Sequence, residues 1–213
     1  MKVRRFVAAA LLAAAASSAS ALTIAESTFD DDAEGWTAFN GFDAFTWAGG
    51  HIQATDASAD SLWSFAAPAA YRGDITAAYG GTLSYSLITS TVTGPLVPQY
   101  FDVQILGANG VLLSYHSPEP HIVPVASWRS FTVPLVSNAD WTVGSVSGPV
   151  ATPEQMLAVL SNVSALRIRG DYRQSTETTA LDNVVLASAV PEPGAGAMAL
   201  AGLAVLVVLW RRR

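Results

Sequence analysis

Apolar and polar residues alternate one by one through much of the middle of this chain, and that period of two constrains its fold more than any other feature. Leu83, Tyr85 and Leu87 alternate with Ser84 and Ser86, and Phe101, Val103 and Ile105 oppose Asp102 and Gln104. Leu166 and Ile168 likewise oppose Arg167 and Arg169. Successive side chains of an extended strand point to opposite faces, so each run predicts a strand with one face in a core and the other in water. Sheets with one wet face are antiparallel, because parallel sheets are covered on both sides and read as continuous apolar runs. Further strands are expected at Phe45–Ala48, His51–Thr55, Leu62–Ala66, Val111–Tyr115, Trp128–Leu135 and Val184–Leu186. Gly49-Gly50, Gly80-Gly81 and Ala108-Asn109-Gly110 punctuate them, the last joining two apolar runs as a hairpin. Many short strands separated by such turns predict an all-β, antiparallel sandwich. One helix interrupts the pattern. Thr152 is its N-cap, Pro153 fits the first helical position and Gln155 completes a capping box, with Met156, Leu157 and Leu160 expected inward.

The two ends are of a different kind. Lys2, Arg4 and Arg5 precede an apolar run, Phe6 to Ala16, and the small residues close into Ala19-Ser20-Ala21. This is the layout of a secretory signal, so residues 1–21 are expected to engage the secretion translocon and the mature chain to start near Leu22. At the other end Val190-Pro191-Glu192-Pro193 precedes an uncharged stretch, Gly194 to Trp210, then Arg211, Arg212 and Arg213. A helix of about 17 residues is at the lower limit for spanning a bilayer. The terminal arginines would hold its end in the cytoplasm and leave residues 22–189 outside. Pro191 and Pro193 keep the segment before it extended.

Composition narrows the function of the region between. Arg72, Arg129, Arg167, Arg169 and Arg173 stand against sixteen acidic residues in 22–189, a net charge of −11. Such a surface repels phosphate backbones and anionic lipid, which argues against nucleic acid as a partner, and it is compatible with neutral sugars or divalent cations. There is no cysteine. Thiol catalysis, Cys-ligated zinc and iron–sulfur chemistry are therefore excluded, and stability must come from one core, with or without a bound ion.

The segment 190–213 resembles the PEP-CTERM sorting tail: V-P-E-P at Val190–Pro193, a short helix rich in Ala, Gly, Leu and Val over 194–210, and the basic tail 211–213. That resemblance implies recognition by an exosortase, a membrane-embedded cysteine protease. The chain would be inserted transiently in the inner membrane, cleaved near the motif and delivered to the cell surface or extracellular matrix.

A second resemblance covers most of 22–189. F-D-D-D-A-E-G-W (Phe29–Trp36), S-L-W-S-F-A-A-P (Ser61–Pro68), Y-G-G-T-L-S-Y-S-L (Tyr79–Leu87) and Leu160–Leu186, with L-R-I-R-G-D-Y-R and L-D-N-V-V-L, are similar in content and order to the laminin B (laminin type IV) domain. It implies a jelly-roll β-sandwich of the kind shared with galactose-binding and carbohydrate-binding modules, in a matrix setting, and it implies no catalytic residues.

Several constellations invite a site. Asp30, Asp31, Asp32 and Glu34 precede Trp36, and Asp182 lies in the closing block; if first and last strands are neighbours, Asp30 and Asp182 could share a structural calcium. The alternative is a solvated acidic turn. Each tryptophan can serve the core or a sugar platform, and Trp141, after Asn138-Ala139-Asp140, is the one expected to be exposed. Arg167, Arg169 and Arg173 either line a groove for an acidic sugar or pair with nearby carboxylates. His116 and His121 flank Ser117-Pro118-Glu119-Pro120 in no zinc spacing. The expected function is binding without catalysis, of polysaccharide or another surface protein in a biofilm. The rivals are a structural spacer and a hydrolase using carboxylates such as Asp171 and Glu177.

Overall fold

In a computed structural model, which describes residues 20–59, 62–90, 94–97, 101–118 and 127–190, the alternating runs become strands of two sheets. In chain order these are β1 (Thr23–Ser27), β2 (Thr37–Phe39), β3 (Phe42–Trp47), β4 (Ile52–Asp56), β5 (Ser64–Ala66), β6 (Thr82–Thr89), β7 (Val103–Gly107), β8 (Leu112–Tyr115), β9 (Arg129–Pro134), β10 (Trp141–Val143), the helix α1 (Pro153–Leu160), β11 (Val163–Arg169) and β12 (Thr178–Ala187). One sheet runs β3-β4-β12-β6-β9, with β1 added against β12; the other runs β10-β8-β7-β11-β5-β2. All of these pairings are antiparallel. The result is a jelly-roll β-sandwich. Leu83, Tyr85 and Leu87 of β6 are buried with Ile105, Leu113 and Ile168 of the facing sheet, while the intervening Ser84 and Ser86 are more open. Leu22–Ala189 forms one compact unit.

The final strand organises the first sheet. Thr178–Leu181 of β12 pair with β4, and Val184–Ala187 pair with β1, so one strand serves two neighbours along the same edge. Its pairing with β6 slips between Asp182 and Val185, where Asn183 has φ 51°, a left-handed conformation that asparagine tolerates better than most residues. The hairpin between β7 and β8 turns at Gly110, φ 81°, and Asn109 Oδ1 accepts from the Val111 amide at 3.0 Å.

The capping box of α1 is present in both directions: the Gln155 amide donates to Thr152 Oγ1 at 3.2 Å, and the Thr152 amide donates to Gln155 Oε1 at 2.9 Å. Met156, Val159 and Leu160 are its buried residues, whereas Leu157, expected inward, is 39% exposed. The i, i+3, i+4 stripe starting at Met156 passes through Val159 and Leu160, and Leu157 lies about 100° away from it.

Among the described residues no helix is long and apolar enough to cross a membrane. The expected signal up to Ala19 and the tail Pro191–Arg213 lie outside the described residues.

Candidate functional site

The outer face of the second sheet carries a groove of about 100 Å³. Arg167, in the middle of β11, stands across from Gln104 of β7 on one side and Ala66 of β5 on the other. Phe39 closes β2 opposite Ser64 and is 45% exposed. The guanidinium carbon of Arg167 sits 3.7 Å from the centre of the Phe39 ring, a cation–π contact worth about 0.5–1 kcal/mol at an open site. Asn40 at the rim donates through Nδ2 to the Leu62 carbonyl at 2.9 Å, and Gln104 Nε2 donates to Ser114 Oγ at 3.3 Å. The groove thus offers an aromatic ring, a cation and two amides whose carbonyl oxygens can accept. Trp63 forms part of its wall while remaining buried.

Arg169, two residues along the same strand, was expected to share that face and does not share its exposure: it is 1% exposed. β11 ends there, and the chain that follows folds back over the side chain. Arg169 Nε donates to the Asp171 carbonyl, Nη2 points to the Val97 carbonyl at 3.5 Å, and the guanidinium lies 4.6 Å from the Tyr172 ring centre. Trp141 is a second correction. It is fully buried at the start of β10, donates through Nε1 to the Pro134 carbonyl at 2.7 Å and packs on Tyr115 with ring centres 5.2 Å apart. The preceding loop is an Asx turn, Asp140 N to Asn138 Oδ1 at 3.0 Å, which carries the chain straight back into the sheet. Among the described residues the exposed tryptophans are Trp47 and Trp128.

Beneath the groove wall lies a cluster that local patterns do not reveal. Asp56 ends β4, and Asp171 and Glu177 belong to the connection between β11 and β12. All three are buried, and one carboxylate oxygen from each lies within 4.8 Å of the others. Asp56 accepts from Trp63 Nε1 and from the Glu177 amide, the latter at 3.1 Å. Glu177 Oε1 accepts from the amides of Tyr172 and of Arg173, the latter at 3.2 Å. Both oxygens of Asp171, and Oε2 of Glu177, have no hydrogen-bond partner. Burial raises the Asp56 carboxyl to about 6 and those of Asp171 and Glu177 to about 7, with Asp56 adding to the rise at the other two. In the sequence Asp171 and Glu177 stand only as carboxylates that a hydrolase could use; no signal at the level of the strand pattern joins them to Asp56.

Asp30 and Asp182 lie near enough for the charge of Asp30 to raise Asp182, although burial is the larger cause. Asp30 accepts from Thr28 Oγ1 at 2.8 Å, and Asp182 is held by the Asn183 amide at 2.6 Å and by Asn183 Nδ2 at 2.7 Å. Glu34 Oε1 accepts from the Thr28 and Phe29 amides at 3.0 and 2.6 Å, so the acidic turn is capped by its own side chains. His116 lies 3.7 Å from Asp102, and His121 lies outside the described residues.

Fold and comparisons agree on class and then on family. The two antiparallel sheets define a jelly-roll sandwich, and the L4b domain of human laminin alpha-2 superimposes with a TM-score of 0.54 at 16% identity, covering 71% of this chain and 84% of that domain. Residues 64–201 match Laminin B (Domain IV), and the chain belongs to that family. Among curated relatives, human laminin subunit gamma-2 is 32% identical over 178 residues, 80% of this chain and 14% of that protein. The mouse basement membrane-specific heparan sulfate proteoglycan core protein is 30% identical over 136 residues, 62% of this chain and 3% of that protein. The chain therefore spans a small fraction of the relatives it matches.

Proposed function

We propose that this protein is an exported, non-catalytic module that binds polysaccharide through the groove of Phe39, Asn40, Gln104 and Arg167. The observation that carries the reading is the half-exposed Phe39 ring with the Arg167 guanidinium over it, set between amides on a rigid sheet. An aromatic face suits a sugar ring, the amides suit hydroxyl groups, and the Arg167 guanidinium suits a carboxylate-bearing sugar. Membership of the laminin B family supports a binding role in an extracellular setting. Export through the translocon, transient anchoring, and release by an exosortase acting at Val190–Pro193 complete the proposal and rest on the sequence of the two ends.

A hydrolase built on Asp171 and Glu177 fits poorly. An oxygen of one lies within 4.8 Å of an oxygen of the other, closer than the roughly 5–9.5 Å of glycosidase pairs, and neither carboxylate is open to solvent, whereas a glycan must reach both.

Affinity electrophoresis of the full chain in gels cast with acidic and neutral exopolysaccharides tests the binding. Retardation by an acidic polymer that falls about tenfold in Arg167→Ala and in Phe39→Ala is the expected result, each lost contact being worth about 1.4 kcal/mol. No retardation by any polymer would leave a spacer or a protein-binding module. For the sorting step, the mass of the surface-exposed protein should lack the residues beyond the motif in an exosortase-bearing host and retain them when the exosortase is deleted.

A further inference from the structure

We propose that Asp56, Asp171 and Glu177 form the binding site of a single calcium ion that ties the end of β4 to the β11–β12 connection. The cluster is compact, with ligand atoms within 4.8 Å of one another, and it is closed to water. A cluster of acidic groups is not by itself a site; the deciding feature is what surrounds these oxygens. Buried polar atoms in folded proteins are nearly always hydrogen-bonded, because an orphaned one keeps its full desolvation cost. Here both oxygens of the wholly buried Asp171 and Oε2 of the equally buried Glu177 lack a partner. Three hard oxygens, all from the cluster's own carboxylates, are thus left unsatisfied in one place.

Charge leads to the same occupant. Three buried carboxylates stand in one place, with the guanidinium of Arg169 acting on Asp171 and Glu177. A divalent cation balances the charge that the three carry when ionised. The donor set holds no imidazole or thiolate, which excludes the preference of zinc or copper, and an all-oxygen carboxylate set suits calcium, with its flexible geometry of 6–8 oxygen ligands at about 2.3–2.6 Å, better than the stricter octahedron of magnesium. The oxygens already engaged, those of Asp56 with Trp63 and the Glu177 amide and Oε1 of Glu177 with the Tyr172 and Arg173 amides, orient the carboxylates around the centre. In a chain with no cysteine such an ion replaces a covalent staple.

The test uses the full chain, purified in detergent and dialysed against EGTA. Addition of about 2 mM calcium should raise its melting temperature by about 5–10 °C, the shift expected for an ion present at some hundredfold its Kd. Terbium bound in calcium's place should luminesce when tryptophan is excited, since Trp63 touches Asp56. Asp171→Asn removes one buried negative charge, so this variant should be at least as stable as the wild type in EGTA, yet lose the calcium shift and the terbium signal. Glu177→Gln should behave alike, and a structural role alone would not separate the two effects in this way. Asp182→Asn should keep the full calcium response. The proposal is overturned if the wild type shows no calcium shift, if Asp171→Asn and Glu177→Gln respond as the wild type does, or if Asp182→Asn is the variant that loses the response. Failure here leaves the polysaccharide reading standing, because that reading is tested at Arg167 and Phe39.

Discussion

Arg167 and Arg169 are two residues apart on one strand, and their surroundings could hardly differ more. Arg167 lies over an exposed phenyl ring at the edge of a groove, where water screens its charge and where it can meet a ligand. Arg169 is enclosed by Val97, Asp171 and Tyr172 beside three buried carboxylates, where its charge is part of what makes the interior tolerable. The same side chain is thus a recognition element in one place and a counter-ion in the other. The difference follows from position in the sheet. Arg167 is flanked by paired strands on both sides, whereas Arg169 is the last residue of β11, and the connection to β12 covers it.

The contrast is open to direct attack. Arg169→Ala should have the largest effect: it leaves buried carboxylates without their guanidinium, a loss of about 3–5 kcal/mol in urea denaturation at pH 7 without calcium. The same variant should lose less at pH 5, where protons take the place of the cation. Gly170→Ala comes next. A Cβ at Gly170 would run into the Trp63 ring, and overpacking of this kind costs about 1–3 kcal/mol. Because Trp63 joins the cluster to the groove wall, tryptophan emission should shift with it.

A pH titration gives an effect with a definite sign. The Asp171 and Glu177 carboxyls, ordinarily near 3.8 and 4.5, rise to about 7 in the folded protein. Between those values the native state holds protons that the unfolded chain has released, so stability in EGTA should fall as pH rises from about 4 to about 7 and level off above that. Asp56, raised to about 6, adds to the same slope, and the guanidinium of Arg169 opposes it at Asp171 and Glu177. Calcium at about 2 mM should flatten the slope, since the cation favours the ionised carboxylates. Arg167→Ala should be the mildest in stability, a change of less than about 1 kcal/mol, while losing polymer retardation. If Arg167→Ala destabilised as much as Arg169→Ala, the division of labour between the two arginines would be wrong.

Much of the fold was legible because it is local. Ser84 and Ser86 between Leu83, Tyr85 and Leu87 announced β6, and Thr152, Pro153 and Gln155 announced the start of α1 to the residue. The short strands β1, β2 and β10 were not visible, since three to five residues hold too few alternations to carry a period. The first half of β12 was missed for another reason: Thr179, Ala180 and Leu181 are buried in succession, between β4 and β6, and show no alternation. Trp141 misled because Asn138-Ala139-Asp140 reads as an exposed loop, and only the Asx turn within it returns the tryptophan to the core.

By itself the sequence determined the period of two, the one capped helix, the absence of cysteine, the acidic balance and the family resemblance that residues 64–201 bear out. Each of these is written in neighbouring residues or in composition. Tertiary structure alone decided which arginine meets solvent, which tryptophan is buried and that Asp56 meets Glu177, 121 residues away. Those outcomes depend on strand order and on where the connections fold over a strand end. A local period is the same for a residue in mid-sheet and for one at the end of its strand, so it cannot tell Arg167 from Arg169.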